Sequence, residues 1–140
     1  GLIVDHHHVS HASCKLAIKC KGGDKIMLVT DAMSHVGSEQ LSEIFLGMEI
    51  TRQGDKLTIA GGTLAGSALD MASAVRNTHK SLHIPLAKTL QMASLTPAKF
   101  LALDHQFGRI KPGYAADWVS VNNTLHVNQT WIAGKQVYAS

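Results

Sequence analysis

This chain of 140 residues has no apolar run approaching the roughly 20 residues a bilayer-spanning helix needs, so no membrane partner is expected. Aromatic side chains make up only 5%, too few for base-stacking platforms. Basic charge is not concentrated either. The formal net charge is +3, and the one grouping, Lys15, Lys19 and Lys21, is spaced like a solvated helix face rather than a nucleic-acid surface. Cysteine is limited to Cys14 and Cys20, too far apart along an expected helix for a local bridge and matching no zinc spacing. Both are expected to be buried or half-buried thiols of a cytoplasmic protein. A signal-peptide pattern is missing, because Gly1-Leu2-Ile3-Val4 runs straight into charged and imidazole groups. The chain also opens without Met inside a strand-like run, and the expectation is a piece of something longer.

The hydrophobic share of 45% is that of a globular protein, which excludes a disordered chain. Two short runs organise the first third: Gly1-Leu2-Ile3-Val4-Asp5-His6-His7-His8 and Ile26-Met27-Leu28-Val29-Thr30-Asp31-Ala32. Continuous aliphatic and β-branched residues suit parallel strands covered on both faces. Between them, Ser10 as a cap, an apolar stripe of Ala12, Leu16 and Cys20, a basic last turn and Gly22-Gly23 spell a helix. Strand, helix and strand in about thirty residues make a βαβ unit. Groups just past the C-terminal ends of neighbouring parallel strands are where α/β folds place chemistry, so Asp31 and His8 suggest an acid–base site. Spacing alone leaves Asp31 equally open to a second role, as a strand-end turn cap.

After Asp31 the pattern changes. Short runs at Ile44-Phe45-Leu46, Met48-Glu49-Ile50-Thr51 and Leu57-Thr58-Ile59, with Gly54-Asp55 as a turn, predict an antiparallel insert at about 41–60. A glycine-rich connector, Gly61 to Gly66, leads to a capping-box pattern of Ser67 with Asp70 and a helix to about Lys80, with Leu69, Ala72 and Val75 inward. Another helix is expected from Pro85, with Leu86, Leu90 and Ala93 inward, and a short one from Thr96-Pro97 through Phe100 and Leu103. The tail reads as strands at Arg109-Ile110, Trp118 to Val121, Leu125 to Val127, Trp131 to Ala133 and Gln136 to Tyr138. This mixture is more economical as the end of an α/β barrel followed by strands of a small β domain than as one compact unit.

Five motifs occur in order: Asp5…His8-Val9, Val29-Thr30-Asp31-Ala32, Gly62-Thr63-Leu64-Ala65-Gly66-Ser67, Ala93-Ser94-Leu95-Thr96-Pro97-Ala98, and Gly108-Arg109-Ile110-Lys111-Pro112-Gly113-Tyr114-Ala115-Ala116-Asp117. Together they resemble the C-terminal third of the N-acetylglucosamine-6-phosphate deacetylase family, within the metal-dependent amidohydrolases. The resemblance implies an α/β fold, the C-terminal portion of a (β/α)8 barrel followed by strands of a β-sandwich. Residues 1–105 would then be the last strands and helices of the barrel, and 106–140 the C-terminal strands of the sandwich. It further implies deacetylation of an amino-sugar phosphate by a cytoplasmic homodimer that uses a divalent metal, zinc or similar.

The metal's ligands, a Glu and two His on earlier strands of the family, are not in this sequence, and none of its own histidines is read as a replacement. By resemblance, Asp31 is the general acid–base, accepting a proton from the attacking water and returning it to the leaving amine. His8 contacts the substrate, and Leu64, Ala65 and Gly66 meet it through main-chain groups. Asp5, His6 and His7 are candidates beside it, with strand alternation putting His6 on the face of His8 and His7 opposite. His11, His35, His79, His83, His105 and His126 are read as surface or packing residues. Two alternatives stand: another amidohydrolase, dihydroorotase-like or acting on a different N-acyl group, and a catalytically inactive piece.

Overall fold

The computed structural model describes all residues from Gly1 to Ser140. The two apolar runs lie side by side in parallel. The Leu2 amide donates to the Met27 carbonyl at 2.9 Å, and the Val29 amide to the Leu2 carbonyl at 3.1 Å. Pairing is confined to this one bridge rather than a ladder. The helix between them, α1 (His11–Lys21), is capped as its sequence requires, with the Ser13 amide donating to the Ser10 hydroxyl and Gly22 closing the last turn.

The face α1 buries differs from expectation. Cys14 and Ile18 are buried against Val4, Ile26 and Leu28, whereas Leu16 is 62% exposed and Cys20 is exposed too. Two apolar stripes run along this helix, and its own periodicity cannot choose between them. Leu16 and Cys20 border an open recess with Gly1, Leu2 and Ile26.

The insert is a three-stranded antiparallel sheet, β1 (Ser42–Phe45), β2 (Met48–Gln53) and β3 (Lys56–Thr58). Leu46 and Gly47 both take positive φ in the first turn, as a type I′ hairpin demands. Ile50 and Leu57 are buried beneath it.

Next comes α2 (Met71–Lys80), whose cap is Asp70 rather than Ser67: the carboxylate accepts from the amide and hydroxyl of Ser73. Its buried residues are Ala74, Val75 and Thr78. The next helix, α3 (Leu86–Ala93), buries Thr89 and Met92 and leaves Leu90 47% exposed. Then α4 (Leu95–Phe100) begins one residue before Thr96. The threonines were missed because a count of apolar residues passes over them. Thr78 donates its hydroxyl to the Ala74 carbonyl at 2.8 Å, which lets it sit inside.

The tail forms a second antiparallel sheet, β4 (Trp118–Val121), β5 (Val127–Ile132) and β6 (Lys135–Ala139). Residues 127 to 132 are one strand, not two, and Arg109-Ile110 forms none. Trp118 and Trp131 stack across the sheet at 3.6 Å between rings. The Ala133 amide donates to the Asp117 carboxylate at 2.7 Å and the Gly134 amide to the Ala116 carbonyl at 3.0 Å, giving the Ala-Asp pair a turn-holding role.

One core joins the parallel pair to the helices: Val4, Cys14, Ile18, Ile26, Leu28, Leu69, Ala74, Val75, Leu82 and Met92. Met92 is fully buried, and its carbonyl accepts from the Leu28 amide at 3.0 Å. Met92→Ala should cost about 2–5 kcal/mol in urea denaturation with an unchanged slope, and Leu90→Ala less than about 1 kcal/mol. Equal losses at the two positions would contradict this placement of the core.

Candidate active site

Asp5 ends the first extended segment and is only 4% exposed. A carboxylate at that depth needs partners. It accepts from the amides of His7 and His8, at 3.0 Å each, and the His8 ring Nδ1 lies 2.6 Å from its second oxygen. The carboxylate therefore caps a bend, in which His6 takes φ +71°. A bend has no strand alternation, and each histidine finds its own neighbour instead. The His6 ring meets that of His11 edge-on at 4.4 Å between centroids. The His7 Nε2 is 2.9 Å from the Asp55 carboxylate, and His8 folds back on Asp5.

Burial alone pushes the Asp5 carboxyl up. The His8 amide, the His8 ring and the His7 amide outweigh it, and with the attraction of His8 they hold it below the ordinary carboxylate range. A carboxylate only accepts, so His8 carries its proton on Nδ1 and leaves Nε2 free. That nitrogen can accept from a hydroxyl, or donate to a carbonyl when the ring is protonated. Burial, with Asp5 nearby, pushes the Cys14 thiol up, which leaves it inert as a nucleophile.

Asp31 ends the neighbouring segment, and its side chain is exposed. Asp5 and Asp31 each lie three residues beyond the parallel Leu2–Leu28 bridge, so the His8 bend and Asp31 lie toward the same end of the two segments. The Asp31 backbone has φ +54°, a conformation Asp tolerates better than most residues. Its main chain is pinned. The Ser67 amide donates to the Asp31 carbonyl at 2.8 Å, the Met33 amide to the Ser67 carbonyl at 2.9 Å, and the Ser67 hydroxyl to the Thr30 carbonyl. This parallel contact places Gly66 directly against Asp31. A Cβ on Gly66, which has φ +68°, would sit 2.6 Å from Met33 Cγ and 3.1 Å from the Asp31 carbonyl oxygen. Only glycine fits there.

Leu64 and Ala65, both half-buried, pair with β3: the Ala65 amide donates to the Leu57 carbonyl at 3.1 Å. The fold thus brings Gly66 directly against Asp31, with Leu64 and Ala65 just before it on the edge of β3, and Asp5 and His8 toward the same end of the neighbouring segment. His6 and His7 point to other partners. Sequence reading missed Ser67, which joins the two halves and was taken only for a helix cap. It also passed over His35, which is fully buried with no hydrogen-bond partner on either ring nitrogen and has Nδ1 3.5 Å from Glu43. No trio of His, Cys, Asp or Glu side chains converges to hold a metal ion.

Residues 6–137 match the amidohydrolase family. The chain is 44% identical, over 138 residues, to an N-acetylgalactosamine-6-phosphate deacetylase from Shewanella sp. (strain ANA-3), covering 99% of this chain and 35% of that one. An N-acetylglucosamine-6-phosphate deacetylase from Vibrio furnissii is 36% identical over 141 residues, covering 98% of this chain and 34% of that one. The crystal structure of N-acetylglucosamine-6-phosphate deacetylase from Pasteurella multocida superposes with a TM-score of 0.95 at 35% identity, over 100% of this chain and 36% of that one. The chain spans about a third of the length of these proteins.

The depressed Asp5 carboxyl makes its contribution to stability pH-dependent. It is complete above the ordinary carboxylate value and is lost as pH falls through the lower value of the folded state. Asp5→Asn should therefore be clearly less stable than wild type in chemical denaturation at pH 7, with the gap closing toward pH 2. A gap that stayed constant with pH would show that Asp5 is not held as a carboxylate.

Proposed function

We propose, from the premise that the chain belongs to the amidohydrolase family, that it is the C-terminal part of an enzyme hydrolysing the acetamido group of an N-acetylhexosamine 6-phosphate. The products are the amino-sugar phosphate and acetate. The leading substrate is N-acetylglucosamine 6-phosphate, in amino-sugar catabolism. Its galacto epimer is the second, favoured by the name of the relative that is 44% identical. The observation that carries this reading is the junction of Asp31 with Gly66 and Ser67, which presents a free carboxylate beside glycine-exposed main chain.

Within it, Asp31 accepts a proton from water as the oxygen attacks the amide carbonyl carbon. It returns that proton to nitrogen as the C–N bond breaks. His8, oriented by Asp5, offers Nε2 to the acetyl oxygen or a sugar hydroxyl. Close backbone approach at Leu64 to Gly66 fixes the sugar. The divalent metal implied by the family, zinc or similar, finds no set of ligands among these residues, so they do not fit that group; its site belongs to other parts of the complete protein.

The same reading makes residues 1–105 the closing strands and helices of a (β/α)8 barrel and 106–140 part of a β-sandwich. The complete enzyme is then a cytoplasmic homodimer acting on a small molecule. The exposed apolar side chains of Trp118, Val119, Val121, Ile132 and Val137, distributed over both faces of the sheet, support the sandwich assignment, since a sheet so exposed needs further covering layers.

In the complete protein, Asp31→Asn should lower kcat for acetate release about 10²–10⁴-fold while leaving metal content unchanged. Undiminished turnover would reject its role. Assaying both epimers and a dihydroorotate-type ring in parallel fixes the substrate class. The 140-residue chain by itself, supplied with zinc, should release no acetate. Turnover by that chain would show that the site is complete without the rest.

A further inference from the structure

We propose that His7 and Asp55 form a latch holding the β1–β3 sheet against the His6–His8 bend, which makes His7 a positioning residue for Leu64 to Gly66. The proposal rests on the reading of the Asp31 site given above. Strand β3 does not end the sheet. Thr58 pairs with Leu64, the Ile59 amide donates to the Thr63 carbonyl at 3.0 Å, and the Ala65 amide to the Leu57 carbonyl at 3.1 Å. The segment assigned to the sugar is thus the sheet's outermost edge, and its far end is fixed to Asp31 through Ser67. Any shift of the sheet moves that edge relative to Asp31.

Besides the contacts of Glu43 with Ser34 and His35, two side chains near the β2–β3 turn fasten the sheet. Beside the β2–β3 turn, Arg52 donates from one terminal nitrogen to the carbonyls of His35 and Ser38, both at 2.9 Å, and from Nε to Gly54 at 2.7 Å. In that same turn, Asp55 faces the bend beside a polar recess of about 180 Å³, bordered by Asp5, His6, Asp55, Ser73, Arg76 and Asn77. The His7–Asp55 hydrogen bond, 2.9 Å long, joins the turn to the bend. His7 is anchored for this task, because its own amide donates to buried Asp5. The latch therefore links the carboxylate that orients His8 to the sheet that carries Leu64 to Gly66. Asp55 is largely solvent-exposed, so the effect is that of a surface pair, about two- to fivefold.

The test is a double-mutant cycle in the complete protein with His7→Ala, Asp55→Ala and both together, plus the exchanged pair His7→Asp with Asp55→His. Each single change should raise KM about two- to fivefold with kcat unchanged within twofold. The double variant should be no worse than either single one, and the exchanged pair should recover most of the loss. Hydrogen exchange at the Ala65 and Ile59 amides should quicken in both single variants. An effect of His7→Ala that Asp55→Ala does not share, or effects that add, would overturn the latch and return His7 to the substrate. If wild type turns over neither sugar phosphate, the reading of the site fails. The latch is then judged on exchange alone: faster exchange supports it, and unchanged exchange rejects it.

Discussion

Ser67 must deliver its amide to the carbonyl of Asp31, and the geometry of the candidate site depends on that contact. The two residues are separated by the whole three-stranded excursion, so closing the loop costs entropy that grows slowly with its length. The excursion meets that cost by folding on itself, with its own buried residues Ile50 and Leu57 and an arginine tied to three carbonyls. Gly66, at positive φ, then lets the two main chains meet closely, where a Cβ would crowd the Asp31 carbonyl and collide with the Met33 side chain. Asp31 keeps its carboxylate in the open because its backbone, not its side chain, makes the junction.

The buried Asp5 is a second constraint, independent of the first. A lone carboxylate so deep would be strongly disfavoured, and three nitrogen donors, one from His7 and two from His8, compensate it. The same bonds turn the chain, end the extended segment and aim His8. Three consecutive histidines consequently have three fates, since each leaves the bend in a different direction. Histidine count and adjacency carry no information about which ring faces a substrate.

Local signals in the sequence were reliable where one residue type satisfies one backbone need. Ser10 and Gly22 at the ends of α1, and Gly54-Asp55 in the β2–β3 turn, are legible for that reason. Face assignments were not. In α1 the stripe of Leu16 and Cys20 is as apolar as that of Cys14 and Ile18, and only the position of the parallel pair decides which is covered. In α2 and α3, buried threonines hide their hydroxyls in the preceding turn of the helix or its neighbouring carbonyls, and no apolar count registers them. Ser67 looked like a helix cap because Asp70 follows it; the true cap is Asp70, and Ser67 was free to bind Thr30.

The order of elements, the excursion between Asp31 and the glycine-rich return, and the candidate set of Asp31, His8 and Leu64 to Gly66 came from sequence alone. Strand and turn chemistry, together with motif order, are properties of neighbouring residues. What the tertiary structure decided is which of those residues meet. The approach of Gly66 to Asp31, the return of His8 onto Asp5, and the reach of His7 to Asp55 all join positions whose proximity depends on how separate segments pack. Packing is a cooperative property of the whole chain, and no stretch of it encodes such contacts by itself.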